Sequence, residues 1–340
     1  MKGQEMRRLL VNDMLSALPE HRTFWNDLQE WFGCEFVGGP YETLAGIADK
    51  AAIPVMAENV HGDLEPEEPP PSLIIRNASY FGPMKSSEKV PTICLLQDIF
   101  AEGPVREMQE AVLRSSHAIV SNSAFTNSKY CPTIDTSGRQ WRVIPLPVDF
   151  SLFEPQNAMG CQQALGLPDG CVCWVGATQG PAGDVKGFDI FLKIVRMNPD
   201  LHFVAVLKDA MPESYPPNLK CYCRLSHEEL AKVIGACRVG LCTSRMESQH
   251  LAGIEMGACG LPLVVPPVGT YWQRNDLRGI LLVGEPTPAN YIAAIRSELA
   301  GHGMSANAVR EYWAKEFSKD MVRRQWDKLV AEVEGDSNRP

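Results

Sequence analysis

The second half of the chain alternates short apolar runs with amphipathic segments, and this alternation constrains the fold more than any other feature. Six runs have the length and composition of buried strands: 171–177, 201–207, 220–225, 239–244, 262–266 and 279–283. Four intervening segments have helical patterns: 187–197, 227–237, 251–259 and 288–300. Continuous apolar strands separated by helices indicate a parallel sheet covered on both faces. Ligands of such sheets bind outside the carboxyl ends of the strands.

The first half repeats this pattern less clearly. Its strand candidates are 34–38, 54–57, 73–76, 92–97, 118–121 and 141–144, and its helix candidates are 21–32, 42–51 and 105–115. Residues 8–11 fit either a strand or a helix. A length of 340 residues predicts two domains, and the proline-containing segment 145–155 fits a hinge between them. Residues 306–333 are predicted to form one or two amphipathic helices.

Composition predicts an ordinary globular protein. Hydrophobic residues make up 45% of the chain and charged residues 21%. No run approaches the roughly 18 consecutive apolar residues of a membrane span, and the first residues lack the apolar core of a signal peptide. We therefore expect a cytoplasmic protein, with peripheral attachment to a membrane left open. The 11 cysteines include no C-x-x-C pair that would anchor zinc, which favours buried, reduced thiols.

The net charge of −9 is unevenly distributed. Residues 1–150 carry 13 Lys and Arg against 20 Asp and Glu, a net charge of −7. Contacts to phosphate dominate the affinity of proteins for nucleic acids, so an acidic first half disfavours a nucleic-acid partner. A local basic groove would still permit one, and this partner stays open.

Two glutamates, Glu247 and Glu255, follow the apolar run 239–244 at a spacing of eight positions. Eight residues correspond to roughly two helical turns, so both carboxylates can lie along one side of a helix. A helix N-terminus offers unpaired N–H groups and a partial positive charge, which suit a diphosphate. Carboxylates on either side of an anion site can hold the hydroxyls of a ribose and of a sugar. The pattern therefore predicts a nucleotide-sugar site.

Four stretches together resemble a known family. They are 118–126, 143–153, 174–178 followed by Lys186-Gly187, and 247–255 followed by Ala258-Cys-Gly-Leu-Pro262. In this order and spacing they resemble retaining glycosyltransferases of the GT-B fold, glycosyltransferase family 4 in particular, over roughly residues 90–330. The resemblance implies an α/β protein with two facing Rossmann-like domains, each with a parallel sheet. The first, 1–150, would bind the acceptor and be completed by a C-terminal helix at about 311–334 that crosses back to it. The second, 151–310, would bind the donor.

The resemblance also implies roles for individual residues. Glu255 would hydrogen-bond the ribose hydroxyls, Glu247 would approach the donor sugar, and Lys186 would neutralise the β-phosphate of the leaving group. The predicted donor-binding set is Gly176, Lys186, Arg224, Leu225, Glu247, Gln249, His250, Leu251, Ala252 and Glu255. Within it the amides around His250, Leu251 and Ala252 would face the diphosphate, and the loop at Arg224 and Leu225 would hold the base. The predicted catalytic residues are Glu247, Lys186 and Asp98.

In the first domain, Gln97 and Asp98 end an apolar strand, and Asn122 and Ser123 end the next one. Gln97, Asn122 and Ser123 are candidates for the acceptor cleft, although a local turn or helix cap explains each of them equally well. The family pattern has histidine where Gln97 stands, arginine directly after Gly176, an aromatic residue at Gln249 and glycine at His250. Because Ala177 stands in the place of that arginine, half of the usual Arg/Lys phosphate clamp is missing.

The predicted activity is transfer of a hexose from a UDP- or GDP-sugar to an acceptor hydroxyl on a glycan, a lipid or a small molecule. No carboxylate cluster with metal spacing is apparent, so we expect no metal ion and no other cofactor, with Lys186 and helix amides in place of a cation. Two alternatives remain. One is a non-catalytic GT-B scaffold or binding subunit, and the other is the same enzyme acting on a modified nucleic-acid base. The oligomeric state is not predicted.

Overall fold

The computed structural model describes residues 8–11, 23–32, 35–38, 73–78, 90–135, 138–178, 184–208, 210–274, 276, 278–301 and 303–337. The chain divides into two compact units. The first consists of Met1–Leu146 and Arg323–Pro340, and the second is Pro147–Val322. The sequence placed the boundary near residue 150 and a helix at about 311–334 with the first domain; in the structure, the chain from Arg323 onward clusters with the first unit.

The first unit contains a sheet of six strands. In chain order they are β1 (Arg8–Val11), β2 (Glu35–Gly38), β3 (Ile74–Asn77), β4 (Thr92–Leu96), β5 (Ala118–Ser121) and β6 (Gln140–Val143). Across the sheet the order is β2-β1-β3-β4-β5-β6, and every neighbouring pair is parallel. Residues 8–11, which the sequence left undecided, are therefore a strand.

Helices of the first unit are α1 (Thr23–Phe32), α2 (Pro104–Arg114) and α3 (Ala124–Tyr130) among the described residues. Pro104 begins α2, where its missing N–H costs no helical hydrogen bond. Near the other end of the chain, the ring of Trp326 lies 6.4 Å from that of Phe32 in α1. The predicted strand 54–57 and helix 42–51 lie outside the described residues.

The second unit contains the other six-stranded sheet. Its strands are β7 (Val172–Gly176), β8 (Phe203–Leu207), β9 (Leu219–Cys223), β10 (Val239–Leu241), β11 (Leu263–Val265) and β12 (Ile280–Leu282). The order is β12-β11-β10-β7-β8-β9, again parallel throughout. All six strands lie within or next to runs that the sequence predicted as strands, and the predicted α/β class with parallel sheets is confirmed.

Alternating side chains of these strands enter two separate cores, which is why the strands read as continuous apolar runs. Cys171 and Cys173 enter one core, whereas Val172 and Trp174 enter the other. Strand β8 divides in the same way, with Val204 and Val206 on one face and Phe203, Ala205 and Leu207 on the opposite face. The sheet is therefore covered on both sides, as the pattern predicted.

The covering helices of the second unit have local start signals in the sequence. They are α4 (Ala158–Leu165), α5 (Phe188–Met197), α6 (His227–Gly235), α7 (Leu251–Ala258), α8 (Pro288–Leu299) and α9 (Ala306–Phe317), followed by α10 (Lys319–Ser337), which continues into the first unit. Ser226 and Glu229 form a reciprocal capping box at α6. Ser305 caps α9 and Thr287 caps α8. No helix in the described part of the chain is long and apolar enough to span a membrane.

Arg310 ties α9 to two other segments of the second unit. Its Nη1 donates to the carbonyls of Phe153 (2.6 Å) and Ala258 (2.8 Å), and its Nη2 donates to that of Phe150 at 2.6 Å. Hydrogen bonds from a charged donor contribute about 1.5–3 kcal/mol each. Arg310→Ala should lower the free energy of unfolding by about 2–4 kcal/mol, measured by urea denaturation.

The matched control for this prediction is Arg323→Ala. Arg323 contacts Asp327 at 3.9 Å, and both side chains are about half exposed, so its removal should change stability by at most about 0.5 kcal/mol. Equal stabilities of the two variants would show that the three carbonyl contacts of Arg310 do not hold α9.

Candidate active site

The strand order of the second sheet reverses between its central strands. β7 and β10 lie side by side, but the chain continues from β7 to β8 and β9 on one side, and from β10 to β11 and β12 on the other. Such a reversal leaves a crevice at the carboxyl ends of the two strands, where ligands of α/β sheets bind. Gly176 ends β7 and Leu241 ends β10. The polar segment 242–250 follows Leu241 directly.

An ion pair between Lys186 and Glu247 forms in the loops after these two strands. The Nζ of Lys186 donates to Oε1 and Oε2 of Glu247 at 2.7 and 2.9 Å, and the hydroxyl of Ser244 donates to Oε1 at 2.7 Å. The Glu247 side chain is 6% exposed and that of Lys186 is 32% exposed. A buried carboxylate requires such compensation. The structure thus brings together two of the predicted catalytic residues.

The hydroxyl of Thr243 positions the turn that carries Lys186. It accepts from Nε1 of Trp174 at 2.9 Å, and it lies 3.1 and 3.0 Å from the carbonyl oxygens of Lys186 and Gly187. Gly187 has a φ of +66°, and a Cβ there would lie 2.1 Å from the Thr243 carbonyl oxygen. Only glycine allows the backbone to approach this closely. The Lys-Gly pair therefore has a structural reason: Gly187 lets the turn with Lys186 dock against the segment after β10.

His250 is buried at the start of α7. Its side chain bonds to Tyr271, with 2.8 Å between Nδ1 and the phenol oxygen, and the residue is 4% exposed. Burial lowers the pKa of His250 to about 4, so the imidazole is neutral at physiological pH. A Cβ on Gly253 would lie 2.1 Å from the Tyr271 oxygen and 2.3 Å from Nδ1 of His250. Gly253 is thus required for this pair to form.

The N-terminus of α7 has no side-chain cap, because the ring of His250 is engaged with Tyr271. The amide of Leu251 donates to the carbonyl of Gln249 at 3.0 Å, and that of Gly253 donates to the carbonyl of His250 at 3.1 Å. Among the amides predicted to face a diphosphate, that of Leu251 is therefore already occupied, because the chain turns tightly before the helix. The partial positive charge of the helix end remains in place.

Glu255, the second glutamate of the motif, lies within α7 and is partly buried. Its carboxylate makes no hydrogen bond or ion pair with any described residue, in contrast to that of Glu247. Burial raises the pKa of Glu255 to about 7. A partly buried carboxyl group without a hydrogen-bond partner among the described residues can accept hydrogen bonds from a ligand, and its elevated pKa makes it a candidate functional group.

Three buried groups at this site could together hold a metal ion. One ligand atom each from Cys242, Glu247 and His250 lies within 4.8 Å of the others. The sequence analysis singled out no cluster with metal spacing, although all three residues lie in the single segment 242–250 between β10 and α7. A metal ion here would have to displace Lys186 from Glu247, since that cation already contacts both carboxylate oxygens.

The other predicted donor-binding residues lie at the same edge of the second sheet or in α7. Gly176 ends β7, and a Cβ there would lie 2.6 Å from the ring of Trp174. Arg224 follows β9 with a φ of +52°, and its amide donates to the Leu207 carbonyl at 2.9 Å. Three residues complete the set: Leu225 packs against a core cluster, Gln249 is buried and Ala252 is partly buried at the start of α7.

The predicted residues of the first unit make hydrogen bonds with other residues of that unit. Ser123 caps α3 by accepting from the amide of Thr126 at 3.1 Å. The side chain of Asn122 accepts from the Thr126 hydroxyl at 3.0 Å and donates to the carbonyl of Gln97 at 3.4 Å. The capping interpretation thus accounts for Ser123. The carbonyl of Asp98 accepts from Nε2 of Gln109 at 3.2 Å and from the Tyr130 hydroxyl at 3.1 Å.

Five residues that contact the site were missed at the sequence level: Cys242, Thr243, Ser244, Arg245 and Tyr271. The first four directly follow β10, so their position after a central strand could have identified them. Tyr271 lies in a 3-10 helix (Gly269–Tyr271) after β11. Nothing local in the sequence connects it to His250.

Comparisons with known proteins identify relatives of this chain. No protein-family model matches the sequence. The D-inositol 3-phosphate glycosyltransferase of Acidothermus cellulolyticus is 28% identical over 267 residues, which cover 69% of this chain and 57% of the relative. The chain spans little more than half the length of the curated relatives it matches.

Solved structures superpose on a larger part of this chain than the curated relatives align with. Anabaena Alr3699/HepE in complex with UDP superposes with a TM-score of 0.71 at 14% identity, covering 96% of this chain and 100% of that one. The sucrose-phosphate synthase of Thermosynechococcus elongatus gives a TM-score of 0.64 at 18% identity, covering 78% of this chain and 74% of that one. The fold is that of the GT-B glycosyltransferases. At these identities the likeness concerns the fold alone.

Proposed function

We propose that the protein is a retaining glycosyltransferase that transfers a hexose from a UDP-sugar to an acceptor hydroxyl without a metal ion. One observation carries this proposal: the ion pair of Lys186 with the buried carboxylate of Glu247, which lies after the two central strands of the second sheet and before α7. It combines a cation for a diphosphate with a carboxylate for a sugar at the point where ligands of α/β sheets bind.

Two kinds of comparison support the choice of donor and reaction. The curated relatives are D-inositol 3-phosphate glycosyltransferases, and the solved structures of Anabaena Alr3699/HepE contain UDP, UDP with glucose, or UDP-glucose. A uridine nucleotide is therefore the first donor to test, ahead of the GDP-sugar that the sequence left open.

Each site residue would have a distinct role in this reaction. Lys186 and the start of α7, including His250 and Ala252, would bind the diphosphate. Glu255 would accept hydrogen bonds from the ribose, and the loop at Arg224 and Leu225 would contact the base. Glu247 would stabilise the positive charge that develops at the anomeric carbon. Asp98 would act on the acceptor side.

The proposed chemistry requires no nucleophile from the protein. The bond between the anomeric carbon and the phosphate oxygen breaks, and the diphosphate leaves with the electron pair. The acceptor oxygen then forms its bond to the same face of that carbon, and the departing phosphate oxygen takes the acceptor proton. Lys186 would hold the negative charge of the leaving group while this occurs.

A nucleotide panel is the direct test. Purified protein would be incubated with UDP, GDP, ADP and their hexose conjugates, with the shift in melting temperature as the readout, followed by NMR detection of slow donor hydrolysis. Binding at a hundredfold excess over Kd raises the apparent stability by about 2.7 kcal/mol. We expect stabilisation by UDP and release of the sugar with retained configuration. Inverted configuration would contradict the retaining mechanism.

The same panel separates the enzyme from a non-catalytic scaffold. A scaffold would bind none of the nucleotides, or would bind UDP without hydrolysing any UDP-sugar even in the presence of acceptors. The observation that motivates this alternative is the alanine, Ala177, that follows Gly176 at the end of β7 in place of a second phosphate-binding cation.

Nucleotide binding should depend on pH through Glu255. Its pKa of about 7 means that the acceptor-only carboxylate predominates above pH 7 and the protonated acid predominates below it. If only the carboxylate binds the ribose, the affinity for UDP should rise about tenfold between pH 6 and pH 8. Isothermal titration calorimetry across this range measures the effect.

Glu255→Gln is the matched control, because its amide does not titrate. The affinity of this variant for UDP should not show the increase that ionisation of Glu255 produces between pH 6 and pH 8. The ratio of wild-type to variant affinity should therefore increase with pH. Stability should respond in the opposite direction. When folding raises the pKa of a carboxyl group, the folded state loses stability as the pH rises above the pKa that the group has in the unfolded chain. Glu255→Gln should therefore be more stable than the wild type at pH 8. A pH-independent affinity ratio would rule out Glu255 as the ribose ligand.

A further inference from the structure

The turn that carries Lys186 is held by the segment that leads to Glu247. The backbone amide of Arg245 donates to the carbonyl of Val185 at 2.8 Å, and Nη1 of Arg245 donates to that of Asp184 at 2.5 Å. Thr243 contacts the next two carbonyls, those of Lys186 and Gly187. Residues 243–245 therefore contact four consecutive carbonyls of this turn. Those of Asp184 and Gly187 also accept from the backbone amides of Gly187 and Phe191.

Arg245 contacts this turn on both sides of Lys186. Its Nη1 contacts Asp184, before Lys186, and its Nη2 donates to Oδ2 of Asp189, after it, at 2.8 Å. Asp189 lies in the first turn of α5, where the helix dipole favours a carboxylate. One guanidinium therefore connects the turn, the start of α5 and the chain segment that ends at Glu247.

This arrangement acts locally. The side chains of Arg245 and Asp189 are 47% and 49% exposed, and ion pairs this exposed contribute little to the free energy of unfolding. Lys186, in contrast, must bring Nζ within 2.9 Å of both oxygens of Glu247. A small shift of its backbone would break one or both of these contacts, because the geometry of a charge-assisted hydrogen bond is narrow.

We propose that Arg245 is a positioning residue that fixes the Lys186 turn against the Glu247 segment, and through it sets the strength with which Lys186 holds a donor diphosphate. The second part rests on the proposed function. The first part concerns the ion pair alone and can be tested without any nucleotide.

The reactivity of the Lys186 amine tests the first part. An ammonium group held by Glu247 reacts slowly with an acylating reagent, and loosening the turn should expose it. In Arg245→Ala, acetylation of Lys186 by acetic anhydride, followed by peptide mass spectrometry, should be several-fold faster than in the wild type. Lys232, an exposed lysine on α6, provides the internal reference. An unchanged ratio of Lys186 to Lys232 acetylation would overturn the proposal.

Nucleotide binding tests the second part. Arg245→Ala should bind UDP about tenfold more weakly, the change expected when a coupled contact of about 1.4 kcal/mol is lost. The melting temperature should fall by less than about 4 °C, as expected for an exposed ion pair. Arg245→Lys keeps a cation opposite Asp189 and should recover part of the affinity. A purely structural role would lower the melting temperature without this rescue.

Arg238→Ala is the matched control. Arg238 belongs to the same unit, is 52% exposed, and faces Asp169 at 3.9 Å, so its loss should change neither Lys186 acetylation nor UDP affinity. The two parts fail separately. If the wild-type protein binds no nucleotide, the proposed function is contradicted, while the acetylation ratio still decides whether Arg245 positions Lys186.

Discussion

Lys186→Ala is expected to lower kcat/KM for sugar transfer by about 10²–10³, the range found when one preorganised group that stabilises a developing anion is removed. Lys186 is the cation at the proposed diphosphate site that contacts Glu247 directly, so the leaving group would lose its neutralising partner. The variant also leaves the buried Glu247 carboxylate without its counter-ion, and a buried charge without compensation is destabilising. Initial rates with a UDP-sugar, from saturating to limiting donor, measure the effect.

Two comparisons isolate the cause. Lys186→Arg keeps the charge and should retain more activity than Lys186→Ala, although a planar guanidinium does not reproduce the contact of an ammonium with both Glu247 oxygens. Lys232→Ala removes an exposed lysine of the same unit and should leave the rate unchanged. Activity of Lys186→Ala within about twofold of the wild type would remove the basis for electrostatic stabilisation of the leaving group at this residue.

Trp313→Ala is expected to lower the free energy of unfolding by about 3–5 kcal/mol, the usual cost of truncating a buried aromatic residue. Trp313 is fully buried in α9, with ring centroids 5.3 Å from Phe317 and 6.3 Å from Tyr271. A Cβ on Gly257 of α7 would lie only 2.3 Å from its indole ring. Chemical denaturation monitored by circular dichroism measures the loss.

Replacing Trp313 with alanine should also disturb the candidate active site. Tyr271 packs edge-on against Trp313 and hydrogen-bonds His250, so the variant should weaken UDP binding as well as stability. Trp313→Phe keeps a ring in place and removes an indole N–H that has no hydrogen-bond partner among the described residues, so its cost should be much smaller. Tyr215→Ala, at a residue 44% exposed, should change stability by at most about 0.5 kcal/mol. Equal effects of Trp313→Ala and Tyr215→Ala would show that the α7–α9 contact contributes nothing specific.

Much of the fold could be predicted because its signals are local. Apolar runs 201–207 and 220–225 correspond to β8 and β9, with end points differing by at most two residues. Ser226 and Glu229, three positions apart, form the capping box of α6. The run 239–244 was predicted too long, since β10 ends at Leu241. Residues 242–244 instead turn toward the site, where the hydroxyl of Thr243 lies 3.1 Å from the carbonyl oxygen of Lys186, 57 positions earlier in the chain, a contact that no neighbouring sequence specifies.

The candidate site could be predicted only in part. The resemblance to known glycosyltransferases identified Lys186, Glu247 and Glu255, but not the state of each group. Glu247 and Glu255 are eight positions apart in one motif, yet one carboxylate is paired with a lysine, whereas the other makes no hydrogen bond or ion pair with a described residue and has a pKa of about 7. His250 could have faced a phosphate or crowded it, and in the structure it is buried against Tyr271. The environment of a charge depends on the groups that the fold places around it.

The sequence by itself determined the class of fold, the helix caps and the position of the paired-glutamate motif, because periodicity, capping and turn chemistry act between residues a few positions apart. The tertiary structure alone decided which distant groups meet. Lys186 reaches Glu247 across 61 positions because β7 and β10 are neighbours at the reversal of strand order, and Arg245, Thr243 and Gly187 hold the two loops together. Forming a contact between such distant residues costs chain entropy, which the burial of side chains in the complete sheet offsets. No short stretch of the sequence can therefore predict it.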